Sequence, residues 1–154
     1  NGVAAGAGAS LAMTCDIAIA APGASFIQAF SKIGLIPDAG GSWLLVERLG
    51  LARAMTLAMT GDKLGAQQAK EWGMIWDVAD DCVAAAVAMA ERLAVMPNRA
   101  LTATRHLMRD AGSRTLDQQL DVERDTQSAL GRTHDYFEGV KAFLDKRSPQ
   151  FKGE

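Results

Sequence analysis

A chain of 154 residues, 49% hydrophobic and 22% charged, is long and apolar enough to bury a core. Its net charge of −2 excludes an electrostatic draw toward nucleic acid or an anionic membrane surface. Cys15 and Cys82 lack metal-ligand spacing and read as reduced core thiols of a cytoplasmic protein.

Residues 1–8 set Gly2, Gly6 and Gly8 among small apolar side chains, so the backbone can turn tightly and lie open to a ligand. Residues 8–14 follow as a short buried helix that starts at the glycines. Residues 16–21 read as a buried strand ended by Pro22-Gly23, and residues 24–28 as a second extended piece. No apolar run reaches the roughly 18 residues of a membrane span, because Asp16 interrupts the longest one. No basic segment precedes the apolar opening, so a secretory leader is not expected. A loop over residues 34–41 carries Pro37-Asp38-Ala39-Gly40-Gly41. Helices follow from Ser42 to a stop at Gly50, over residues 52–59 and over residues 66–72, and residues 74–78 read as a last strand.

Composition shifts past residue 80. Val83, Val87, Ala90, Leu93 and Ala94 recur at helical spacing over residues 81–96, and Pro97 breaks the run. Further helices are predicted over residues 100–111, 116–130 and 134–146, the last with Thr133 as N-cap and a stop before Ser148-Pro149. Residues 1–80 therefore read as α/β core and residues 81–154 as a helical subdomain.

Two stretches carry chemistry. The start of the first helix, at Gly6-Ala7-Gly8, offers unpaired N–H groups and a positive dipole end, which suit a negative oxygen. Small residues for close helix packing are the plain alternative there, and a dinucleotide fingerprint is excluded because Leu11 holds its third glycine position. Asp38 is either a turn residue or, flanked by Leu35, Ile36 and Ala39, a lone carboxylate in an apolar pocket. Desolvation in such a pocket would make it a usable acid and base near neutral pH. An oxyanion site plus one acid/base is the minimum for moving a proton next to a carbonyl.

Residues 1–20 followed by residues 25–41 resemble the enoyl-CoA hydratase/isomerase (crotonase) superfamily, and the resemblance continues through residues 57–73 to residues 143–151. Taken with the rest of that family, the chain is similar to its C-terminal part. The implied fold is α/β, the C-terminal portion of a crotonase-like spiral, mostly helical with a few short strands. The implied substrate is a coenzyme A thioester, with no covalently bound cofactor and no metal. Implied partners are an acyl-CoA and further copies of the chain, as a trimer or hexamer, with residues 81–154 supplying trimer contacts.

Residue by residue, the resemblance makes the Ala7 N–H an oxyanion donor between Gly6 and Gly8 and makes Asp38 the acid/base. It also places Ser10 and Phe30 where hydratases of the family carry glutamates. Neither side chain activates water as a carboxylate does, so isomerisation is expected rather than hydration. Segments over residues 25–45, 69–78, 117–125 and 142–151 are similar to the branch that rearranges a ring epoxide on an aryl-acetyl-CoA. Hydration, or an oligomerising piece without activity, are the alternatives. Phe26, Phe30 and Trp43 either pack around an aromatic acyl group or belong to the core. Lys146, with Arg147, either reaches a CoA phosphate or is solvated. His106 and His134 sit in the helical half among scattered arginines, with no metal or triad spacing.

Overall fold

The computed structural model describes residues 1–154. They form two compact units, Asn1–Ala88 and Met89–Glu154.

In the first unit, β1 (Val3–Ala5) runs into α1 (Ala7–Thr14), and β2 (Ile19–Ala20) and β3 (Ser25–Ile27) follow. A 3-10 turn over Ala29–Ile33 and an irregular loop then lead to α2 (Gly41–Leu49) and α3 (Leu51–Thr60). The chain continues through β4 (Lys63–Gly65), α4 (Ala66–Glu71) and β5 (Asp77–Val78), and α5 (Cys82–Ala94) begins before the unit ends. β1 pairs in parallel with β3 (Ala5 opposite Ile27), β3 pairs antiparallel with β4 (Phe26 opposite Leu64), and β2 pairs in parallel with β5. The link from β1 to β3 passes through α1, as a parallel pair requires a crossover rather than a hairpin.

The core of this unit gathers Met13, Leu45, Leu64 and Met74, each at most 2% exposed, with Phe26, Leu49, Leu57 and Ile75 around them. Burial of each large side chain contributes about 1.5–3 kcal/mol. Alanines at positions 9, 54, 66 and 69 are also buried. Their small size lets short helices lie close to short strands. Phe26 is thus a core residue, the plainer of its two readings.

The second unit contains α6 (Asn98–Asp110), α7 (Leu116–Leu130) and α8 (His134–Leu144). α7 opens with a reciprocal capping box: Gln118 N–H donates to Thr115 Oγ1 at 3.3 Å, and Thr115 N–H donates to Gln118 Oε1 at 3.0 Å. The predicted cap of α8 is present, with Tyr136 N–H donating to Thr133 Oγ1 at 3.2 Å. A clasp ties the last residues to α8. Asp135, 5% exposed, accepts from the N–H groups of Lys152 and Gly153, both at 2.8 Å, and its own N–H donates to the Glu154 carbonyl. Arg147 donates twice to Glu138, whose Oε1 also accepts from Gln150 N–H.

Several elements differ from expectation. β1 and β4 fall in stretches where no strand was expected, because three residues are too few for alternation to show. The strands expected over residues 16–21 and 74–78 shrink to two residues each. Met74 and Ile75 instead bury their side chains from a bend before β5. Ala29–Ile33 forms a 3-10 turn that was not foreseen. Cys82 is buried as expected, but Cys15 lies just past the end of α1 and is exposed. The helix predicted over residues 81–96 forms as α5, although Val83 and Val87 of its apolar stripe are at least half exposed.

Candidate active site at the start of the first helix

The site grows from the junction of β1 and α1. Gly6 N–H donates to the Ile27 carbonyl at 2.9 Å, which carries the strand pairing one residue past Ala5. Gly6 then turns with φ 54° and ψ −128° to cap α1. That left-handed backbone strains any L side chain, and a β-carbon there would stand 3.6 Å from the Phe30 ring. The Gly6 carbonyl accepts from Ala9 N–H at 3.0 Å and Ser10 N–H at 3.2 Å. The two preceding N–H groups, of Ala7 and Gly8, have no carbonyl within the helix to reach. Both residues are exposed, so the positive end of α1 is open to a ligand oxygen.

The far end of α1 is closed by a residue the sequence did not single out. Arg48, in the last turn of α2, donates from Nη2 to the Cys15 carbonyl at 2.7 Å and from Nε to the Met13 carbonyl at 3.1 Å. This holds α1 against α2 and answers carbonyls that a helix end leaves unpaired. An arginine in a helical turn carries no mark of such a partner.

Asp38 lies in the turn that enters α2. Its carbonyl accepts from Gly41 N–H at 2.8 Å. Ala39 and Gly40 both take left-handed backbone, with φ of 49° and 78°. The expected apolar pocket is not what surrounds Asp38. Asp38 is exposed, and so are Leu35 at 59% and Ile36 at 80%. The loop lies at the surface of the first unit, and its apolar side chains do not close over the carboxylate.

The other expected site residues divide. Phe30 is buried beside Gly6 and forms one wall of the donor turn. Ser10 is fully buried one turn into α1. Trp43 lies in the first turn of α2 and is 61% exposed. Lys146 belongs to the second unit, exposed and with φ 54°, and its neighbour Arg147 is engaged by Glu138. His134 Nδ1 stands 3.4 Å from Asp135 Oδ1 and His106 is exposed. Two grooves in the second unit, of about 470 and 540 Å³, are lined by residues of α6, α7 and α8, and none of the expected site residues lines them. No group of three or more His, Cys, Asp and Glu side chains is placed to hold one metal ion.

Buried polar groups are the signal that sequence reading missed. Ser10 Oγ, Ser25 Oγ and both amide atoms of Gln28 are buried without a hydrogen-bond partner. Serine and glutamine are surface residues on average, so their types gave no hint of burial.

Comparison with known proteins covers this whole arrangement. The chain matches the family described as Enoyl-CoA hydratase/isomerase over residues 1–154. It is 56% identical to the 1,2-epoxyphenylacetyl-CoA isomerase of Escherichia coli K12 over 156 residues, covering 100% of this chain and 60% of that protein. It is 36% identical to the 2,3-dehydroadipyl-CoA hydratase of the same organism, covering 99% of this chain and 61% of that protein. The crystal structure of an enoyl-CoA hydratase from Polaromonas sp. JS666 superposes with a TM-score of 0.95 at 41% identity, over 99% of this chain and 60% of that one. The chain thus spans about 60% of the length of the curated relatives it matches, and over that span its fold is that of these enzymes.

Proposed function

The chain belongs to the enoyl-CoA hydratase/isomerase family, and from that premise we propose that the protein is an acyl-CoA isomerase acting through an oxyanion site at Ala7 and a proton carrier at Asp38. The substrate class is a ring-epoxidised aryl-acetyl-CoA or a 3-enoyl-CoA, bound as the free thioester with no covalent cofactor.

One observation carries the reading. Ala7 begins α1, the Asp38 turn enters α2, and α2 packs on α1, so both groups belong to one pair of packed helices. The thioester oxygen accepts from Ala7 N–H, and the dipole of α1 stabilises negative charge as it develops there. In the 3-enoyl case Asp38 takes the proton from the carbon beside the thioester carbonyl and returns it two carbons further along. The double bond moves into conjugation and no atom is gained or lost. For the ring epoxide, the same charge stabilisation accompanies opening of the ring to the isomeric seven-membered oxepin.

Hydration has relatives in its favour, since the similar proteins include a 2,3-dehydroadipyl-CoA hydratase. Against it stand Ser10 and Phe30, both buried and neither carrying a carboxylate to activate water. Gly8 and Trp43 are proposed as substrate contacts, Lys146 as a contact for the CoA phosphate of a neighbouring subunit, and assembly is proposed through residues 81–154 into a trimer or hexamer. No helix is long and apolar enough to cross a membrane.

The test is a coupled assay on the protein expressed from its full reading frame, using an aryl ring-epoxide CoA, a 3-enoyl-CoA and crotonyl-CoA. Turnover of either isomerase substrate, lost in Asp38→Asn by about 100-fold or more, is the expected result. Hydration of crotonyl-CoA at an enzyme-like rate with no isomerisation would reject it.

A further inference from the structure

We infer that Ser10 and Gly41 form a size-limited joint that sets where Asp38 stands relative to the Ala7 N–H, an inference that rests on the function proposed above. Ser10 lies in α1 one turn past Ala7 and is 0% exposed. Its Oγ has no hydrogen-bond partner. It is the atom nearest to where a β-carbon on Gly41 would stand.

Gly41, the first residue of α2, is buried against it. A β-carbon on Gly41 would collide with Ser10 Oγ, and would stand 3.3 Å from Ser10 Cβ and 3.4 Å from Pro37 Cβ. A β-carbon could enter there only by turning the Ser10 hydroxyl aside and parting α1 from the start of α2. Gly41 does not have positive φ. Its lack of a side chain answers to this contact and not to backbone conformation.

Asp38 is tied to the same point. Gly41 N–H donates to its carbonyl, and the two residues between them form a tight left-handed turn. A turn this short passes a displacement of Gly41 on to Asp38 instead of absorbing it. α1 holds the oxyanion donor at its first residue and the joint at its fourth. The Ser10–Gly41 contact thus fixes the separation of the two groups that share the reaction. Ser10 and Gly41 are positioning residues, and neither has to touch substrate.

A double-substitution cycle in the protein from its full reading frame tests this, with steady-state kinetics and thermal unfolding read together. Gly41→Ala should lower kcat about 100-fold, the scale of a misplacement near 1 Å, with KM changed by less than about threefold. Ser10→Ala takes away the colliding oxygen, so Ser10→Ala/Gly41→Ala should recover about tenfold or more of the lost kcat. Should Gly41→Ala fail to fold, Ser10→Val enlarges the joint from the α1 side and should lower kcat about tenfold at near-constant KM. A Gly41→Ala enzyme within about threefold of the parent in kcat, or a loss that Ser10→Ala does not relieve, overturns the inference. Asp38→Asn run alongside separates the two failures. If it leaves turnover intact, the proposed chemistry falls; if it abolishes turnover while Gly41→Ala does nothing, only the joint falls.

Discussion

At Gly6 and Ala7 one dihedral angle sets which N–H groups lie open. Gly6 turns the chain out of β1 with positive φ, and the next N–H points out of the helix start with no carbonyl to meet. This can be tested without touching a side chain. Proline is well tolerated at the first position of a helix, where its missing N–H costs the fold nothing. Ala7→Pro should therefore keep the melting temperature within a few degrees while kcat/KM falls about 100- to 1,000-fold, the effect of losing one oxyanion donor. An Ala7→Pro enzyme of undiminished kcat/KM would move the oxyanion site elsewhere. The tight turn at Gly6 and the helix start behind it were legible in the sequence, because glycines ahead of a small-residue run mark such a start. The exposure of Asp38 was not, since the apolar residues beside it in the sequence, Leu35 and Ile36, are themselves exposed.

At the scale of elements, the second unit is held by caps and by its C-terminal clasp more than by a core, since α6 and α7 contain no fully buried residue. Thr133→Ala removes the acceptor for Tyr136 N–H and should destabilise α8 by about 1 kcal/mol, seen as a lower urea midpoint. The clasp responds to pH. The Arg147 guanidinium, then Gln150 N–H, hold the Glu138 carboxyl down to about 2 from its ordinary 4.5. Burial pushes the Asp135 carboxyl upward, but the N–H groups of Lys152 and Gly153 and the neighbouring His134 outweigh it, so the net shift is also downward. Carboxylates with depressed folded values contribute stability that is whole above their unfolded values and lost as pH falls through the folded ones. The tail should therefore stay latched at pH 6 and loosen progressively below about pH 4.5, read by amide hydrogen exchange at residues 150–154. Glu138→Gln should flatten that dependence. Exchange at the tail that is equally fast at pH 6 and pH 3, after correction for intrinsic rates, would show that the clasp does not hold it.

Over the whole molecule, apolar side chains lie uncovered on the helical unit, among them Leu116, Phe137, Phe143 and Leu144, each more than 60% exposed. Surface of that kind marks an interaction site. Light scattering of the chain in solution should accordingly give a mass above the 16.3 kDa of one copy, and a monodisperse monomer at high concentration would refute self-association. The sequence by itself determined the order and kind of the longer elements: α3, α7 and the capped start of α8 stand where periodicity, glycine stops and Thr133 put them. Those signals are local, carried within one or two helical turns. It also determined the family, because several short blocks recur in order along the chain. Tertiary structure alone decided β1 and β4, which exist through pairing partners such as Ala5 with Ile27 and Phe26 with Leu64. It alone decided that Arg48 closes α1 and that Ser10 meets Gly41, 31 positions along the chain by their numbering. Contacts between distant residues depend on where two helices come to lie, and a pattern read along one chain holds no record of that distance.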